Sequence, residues 1–379
     1  MKKFRLLFLL LPLLLLSCQP QEEKQAWKGR VEKQDGLTVV NNPAEPAFGS
    51  LILQLEEELS IGSEDKPETI LGNIYDLVVD EEGRIYFTEM KPPALKVFDS
   101  NGNYLKTIGG FGQGPGEYQS PRNLCIGPDK KTIYVRDSIY RVILYQLDGT
   151  YLKSINLSSF CYDFFVDGQR CIWGIMSLAD EKGRAKSLEK IGPDGKSHFQ
   201  AVKVPYKIYT KAQKEGTLSF ISGYEYDLQA AAVGPEALVY GFSEKYELTL
   251  MNTEGQKLRL IKNRQPARPI PADESEELSK YLSIKDQPFF YRLFIDDLGR
   301  TWVLRDNPSG KSKAGLIPKE YDIYSRDGYY LYRTTLPYGR CLIIRNGHLW
   351  ARHIDEEKGL VMIKRFGLKN WDSIKSTLE

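Results

Sequence analysis

The sequence predicts an all-β chain, a six-bladed β-propeller with four-stranded antiparallel blades, and three observations carry that expectation. The first is a repeat. An apolar residue, once a Thr, stands before Tyr or Trp in a short strand-like run at Ile85-Tyr86, Ile133-Tyr134, Ile172-Trp173, Val239-Tyr240, Thr301-Trp302 and Leu349-Trp350. Each copy follows a turn, and each turn follows a hydrophobic run. The second is a later hairpin in five of the units, with turn dipeptides Asn101-Gly102, Asp148-Gly149, Asp194-Gly195, Glu254-Gly255 and Asp327-Gly328. Glycine there suits the positive φ that tight hairpins need. The third is spacing: six units of about 40–50 residues, each reading as strands A to D, form the sequence pattern of a propeller. The sixth unit stops after strand C at 360–366. The strand-like LEEELSI at 55–61 precedes unit one, so the simplest closure gives it the place of strand D in the last blade. Such closure removes exposed sheet edges.

Ahead of the repeats, Lys2, Lys3 and Arg5 precede an apolar run of eleven residues, Leu6 to Leu16. A membrane-spanning helix needs about 20 apolar residues, so this run reads as a secretory leader. Leu15-Leu16-Ser17-Cys18 resembles the bacterial lipobox. That resemblance implies removal of residues 1–17, lipidation of Cys18 and attachment to a membrane through the lipid. Gln19, where an Asp would favour retention in the inner membrane, implies an outer-membrane address. Residues 18–36 then read as a flexible tether, 37–367 as the propeller and 368–379 as a helical tail. Loss of three positive charges with the leader turns the formal +2 into −1. A near-neutral chain lacks the basic field that nucleic acid requires. Aromatic residues make up 12% of the chain, which suits a β-rich core. Cys125, Cys161, Cys171 and Cys341 show no CxxC spacing and no adjacent His, so they read as free thiols rather than a zinc site.

With the lipobox, the segment FGQGPGEYQSP and the blade VVDEEGRIYFTE…LKVFDSNGNYLKTIG on the page, the chain resembles the six-bladed, NHL-like propeller lipoproteins of Gram-negative bacteria. The likeness spans about residues 37–367 and is strongest in units one and two. It implies a fold and a cell-envelope location more than a chemistry.

IGGFGQGPGEYQSP, 108–121, invites comparison with phosphate-binding glycine loops. Its glycines do not keep GxGxxG spacing, and Pro115 and Pro121 prevent a helix from starting there. It reads as a connector between blades one and two. The other long connections, 176–187, 201–223, 262–288 and 306–319, also join D to A or B to C. In propeller topology all five lie on one face, while the tight A–B and C–D turns lie on the other. That asymmetry marks the insert-bearing face as the working face. Within one insert, 273–286 reads as a short helix.

Aligned strand A copies read YDLVVD, RNLCIG, YDFFVD, YDLQAA, YRLFID and GRCLII. Strand A is innermost, so their first positions ring the channel mouth. The ring offers Asp76, Arg122, Asn123, Tyr162, Asp163, Tyr226, Asp227, Tyr291, Arg292 and Arg340 as ligand-binding candidates. Polar groups beside Tyr faces suit a glycan or another hydrogen-bonding ligand. The same residues also fit an inter-blade network pairing Asp227 with Arg292 and Arg340 with Asp76, which leaves Asp163 as the best single contact for a ligand or cation. Ca²⁺ is the cation that three Asp would favour, and no other cofactor is indicated. His198, His348 and His353 fall at different positions and on different faces, and neither GxSxG nor HExxH occurs. The functional expectation is a non-catalytic, lipid-anchored envelope propeller that binds a glycan, peptide or protein partner. The alternative is a metal-assisted lyase or hydrolase of the NHL-like kind.

Overall fold

In the computed structural model the described residues are 27–378, apart from 181–182, 207–208, 213–217, 222–224, 271–284, 306–310, 313–314, 317, 339–341 and 356. The chain folds as six blades of four antiparallel strands in a ring, as the repeats predict. In strand order A to D, blade one is Ile74–Val79, Ile85–Met90, Pro93–Phe98 and Tyr104–Ile108. Blade two is Pro121–Ile126, Thr132–Asp137, Arg141–Gln146 and Tyr151–Asn156. Blade three is Cys161–Val166, Ile172–Asp180, Gly183–Ile191 and Ser197–Pro205. Blade four is Leu228–Ala232, Ala237–Phe242, Glu247–Asn252 and Lys257–Asn263. Blade five is Arg292–Ile295, Thr301–Leu304, Lys319–Tyr324 and Tyr330–Leu336. Blade six is Leu342–Arg345, His348–Asp355 and Leu360–Leu368, with Leu55–Ile61 as its outer strand.

That closure follows the expectation: Ile61 pairs Ile363, and Leu55 pairs Leu368. The segment before it also seals two other edges. Leu37–Asn42 runs parallel to strand D of blade four and carries the hairpin partner Arg30–Gln34 outside it. Ser50–Leu51 then pairs in parallel with strand D of blade five. An unpaired strand edge exposes a row of N–H and C=O groups, and this segment caps three in succession. Buried Asn42 rivets the crossing. Its Nδ2 donates to the Gly328 carbonyl at 2.8 Å, and its Oδ1 accepts from Tyr330 N at 2.8 Å and Trp27 Nε1 at 3.1 Å. Among the described residues regular structure therefore starts at Arg30, inside the span read as a tether. The tail has one 3-10 turn, Trp371–Ser373, and docks through Ile374, whose carbonyl accepts from Arg300 Nη1 at 3.1 Å.

The core lies between blades. Among the described residues, six apolar clusters each join one blade to the next, for example Tyr86, Val97, Ile133, Ile143 and Tyr145 between blades one and two. The five C–D turns place Gly102, Gly149, Gly195, Gly255 and Gly328 at φ between 77° and 94°. Each sits in a four-residue turn beside a register shift, the arrangement of a glycine bulge.

The strand-B aromatics have a reason to recur. At the end of strand A in blades one, three and five, Asp80, Asp167 and Asp296 use Oδ1 to accept amides of the A–B turn. Their Oδ2 atoms accept from Tyr86 Oη at 3.3 Å, Trp173 Nε1 at 3.0 Å and Trp302 Nε1 at 2.9 Å. Turn and strand B are locked by one carboxylate.

Candidate functional site

The 108–121 connector holds no helix. Gly112 N donates to Tyr118 O at 2.9 Å and Tyr118 N to Gly110 O at 2.7 Å, folding the loop on itself with Tyr118 buried. Gly109 sits at φ +69°, and a Cβ there would stand 2.7 Å from the Gly116 carbonyl. The glycines serve close packing, and Phe111 projects from the loop with 78% of its surface exposed.

Beyond it the chain enters strand A of blade two at the channel mouth. Three Asp residues there share a local role. Asp76, Asp163 and Asp227 each accept the following amide, from Leu77 at 3.0 Å, Phe164 at 2.8 Å and Leu228 at 2.8 Å. Register shifts at Ile74/Asp76 and Cys161/Asp163 mark β-bulges, and the carboxylates serve amides beside them. Asp76 also accepts from Leu124 N of blade two at 3.3 Å, tying two blades.

The expected pairing of Asp227 with Arg292 is replaced by another. Lys186, on strand C of blade three, places Nζ 2.6 Å from Asp227 Oδ1. The same ammonium lies 3.8 Å from the Tyr162 ring centroid and 4.1 Å from that of Tyr206. The Lys186 side chain is 4% exposed, so ion pair and cation–π contacts together replace its hydration. Asn123 Oδ1 accepts from Arg136 Nε at 3.0 Å and Nη2 at 2.6 Å. Arg122 lies over the Tyr75 ring at 5.3 Å. Tyr226 meets Phe242 edge-on and donates to the Asp286 carbonyl at 3.3 Å. Tyr291 packs against the cluster between blades five and six. Arg340 and most of the insert read as a helix lie outside the described residues, as do Cys18 and Cys341.

Arg292 acts across the channel. Burial pushes the Asp76 carboxyl up to about 6, the Arg292 guanidinium opposes the shift, and the Asp163 carboxylate adds to it. Asp163 is also raised, by burial against the fields of Arg292 and Arg136, with Asp227 adding to the rise. Blades one, three and five thus bring Asp76, Asp163 and Arg292 into one electrostatic group. Asp163 is exposed to water, but that water stands in a channel walled by protein, where a field is weakly screened.

An aromatic row leads from the rim to Lys186, the partner of Asp227. Tyr140 meets Phe160 at 6.4 Å, Phe160 meets Tyr162 at 4.5 Å, and Tyr162 meets Tyr206 at 5.7 Å between centroids. Tyr140, at the B–C turn of blade two, is 51% exposed. Sequence reasoning found Tyr162 but not its neighbours, which lie outside the aligned strand A positions. Lys186 was hidden because 176–187 reads as an insert, whereas it is a hairpin extending strands B and C.

The three His residues stay apart. His198 pairs Asp194 in blade three, His348 contacts Asn346 O and Glu58, and His353 is half-buried in blade six. Burial lowers its pKa, with the Lys364 charge adding to the effect. Among the described residues no group of three or more His, Cys, Asp or Glu is placed to hold a metal ion. Cys125, Cys161 and Cys171 are free thiols.

On the opposite face, the A–B turns of blades four, five and six surround a cavity of ≈ 600 Å³. No candidate from the sequence lies in it.

Ring, closure and inter-blade core define the chain as a six-bladed β-propeller. Residues 64–227, the span of blades one to three, match a family described as a domain of unknown function (DUF4934). Among solved structures the chain is similar to a Bacteroides fragilis NCTC 9343 protein named "Putative exported protein", at 10% identity and TM-score 0.50, over 86% of this chain and 100% of that one. It is similar to a duf4221 family member from Bacteroides vulgatus ATCC 8482 at 12% identity and TM-score 0.49, over 83% and 98%. A streptogramin B lyase aligns at 14% identity and TM-score 0.41, over 78% and 79%. At 10% identity the first shows the shared fold alone. No curated protein matches the chain.

Proposed function

We propose that this propeller is a non-catalytic, lipid-anchored protein of the cell envelope that binds a glycan through its insert-bearing face and channel mouth. The carrying observation is the aromatic row from exposed Tyr140 to Tyr162, which ends at the Lys186–Asp227 pair, and Asp227 in turn acts through its charge on Asp163 in the group with Asp76 and Arg292. Sugar rings stack on aromatic faces and offer hydroxyls that pair with carboxylate and guanidinium, so a row of one and a terminus of the other suits an oligosaccharide better than a peptide or folded partner. The leader, Cys18 and the likeness to NHL-like propeller lipoproteins support the anchor and an outer-membrane address. The exported-protein name of the Bacteroides fragilis neighbour agrees with export.

Arrays of glycans and peptides probed with the Cys18→Ser chain test the binding. The expected result is a set of glycans whose signal falls at least tenfold in Tyr140→Ala and Asp163→Ala. Glycans bound unchanged by both variants, or peptides bound alone, would overturn the reading. Alkyne-palmitate labelling that survives Cys18→Ser would overturn the anchor.

A further inference from the structure

We infer that the face of the A–B turns carries a second binding site, for an organic carboxylate on an apolar body. Nothing in this inference depends on the insert-bearing face. The cavity there holds ≈ 600 Å³, within the range of roughly 300–1,000 Å³ typical of small-molecule sites. Its walls are the ends of the inner strands, Val79, Val233, Ile295 and Ile343, with Leu298 at the rim and 47% exposed.

Two guanidiniums stand on this aliphatic lining. Arg345 ends strand A of blade six, and Arg326 belongs to the C–D turn of blade five with its stem against Gly299. Neither has an ion-pair partner among the described residues. Of the lining carboxylates, Asp296 is already paired with Arg300 at 2.7 Å, and Asp297 accepts the Asn346 amide across the blade five–six boundary. Two free arginines against one partly engaged carboxylate leave the mouth with an excess of one positive charge. A guanidinium fork matches a carboxylate in two parallel hydrogen bonds. The aliphatic walls add nothing for a bare anion but gain from covering an alkyl or branched side chain. The ligand chemistry is therefore one negative carboxylate joined to an apolar group, as at the end of a fatty acid or the C-terminus of an apolar peptide.

Titration calorimetry on the Cys18→Ser chain tests this with octanoate and N-acetyl-leucyl-valine. Controls are octanol, N-acetyl-leucyl-valine amide, acetate and inorganic phosphate. The expected result is binding of octanoate or of the free-acid dipeptide, whichever is tighter naming the source, and at least tenfold weaker binding of its uncharged counterpart. Arg345→Gln and Arg326→Gln each weaken that ligand by about tenfold, as loss of a charged hydrogen bond does. Thermal unfolding shows that both variants fold. Equal binding of the uncharged counterparts, equal binding of acetate or phosphate, no binding of either acid, or unchanged affinity in both variants would each overturn the site.

Discussion

The two mouths of the channel differ in how their charges are spent. On the insert-bearing face Asp227 holds Lys186, Asn123 holds Arg136, and Asp76 takes amides from two blades. On the face of the A–B turns, Arg326 and Arg345 surround an open cavity and have no ionic partner among the described residues. Loop length and unspent charge therefore point to opposite faces. Long connections bring groups together, and groups brought together pair with one another. Cations of the short turns pair too where a carboxylate is near, as Arg84 does with Asp80 and Arg170 with Asp129, but Arg326 and Arg345 meet none among the described residues.

The sharpest break of this comparison lies in Lys186. If the insert-bearing mouth is structural, Asp227→Ala strands a buried ammonium and costs about 2–3 kcal/mol, less than halving a fully buried pair because the Asp227 side chain is 35% exposed. Urea unfolding measures it. The double variant Lys186→Met, Asp227→Ala recovers most of that loss, since methionine fills the space between Tyr162 and Tyr206 without a charge. A loss under about 0.5 kcal/mol in Asp227→Ala would mean that the two rings alone hold the ammonium.

Asp76 gives a smaller effect with a definite sign. Its folded carboxyl titrates at about 6 against 3.8 for the free group. A raised folded pKa favours the protonated form, so its contribution is fully present below 3.8 and is lost as pH rises through about 6. The loss is at most about 3 kcal/mol, and less where channel water screens the charge. Asp76→Asn keeps an oxygen for the Leu77 amide and removes the titration. The variant therefore gains on the parent as pH rises from 4 to 7. Parallel stability curves would show that Arg292 fully compensates the carboxylate.

How far the sequence could be read follows the range of each interaction. Turn glycines, the strand-B aromatics and the closing strand at 55–61 are local patterns, and all of them appear in the ring as read. The hairpin at 30–42 was not legible because its outer strand, RVEKQ, is almost wholly exposed and carries no apolar alternation. The mouth positions were legible from the aligned strands, but their partners were not. Lys186 meets Asp227 from 41 residues away, and the field of Arg292 reaches Asp76 and Asp163 in other blades. The cavity on the other face was invisible for the same reason, since its lining comes from the ends of four strands in four blades.

The smallest predicted effect separates the faces most cleanly. Arg326→Gln and Arg345→Gln should each leave stability within about 0.5 kcal/mol of the parent, as surface changes away from caps, cores and ion pairs do. Glutamine keeps most of the stem that covers Gly299 and removes only a charge that no described residue uses. The same urea measurement that reports about 2–3 kcal/mol for Asp227→Ala would then report almost nothing here, at residues of equal polarity in an equally central place. A cost above about 1 kcal/mol at either arginine would place it in the scaffold with Lys186. The contrast between a spent mouth and an unspent one would then disappear, and with it the reason to expect an anion at the second.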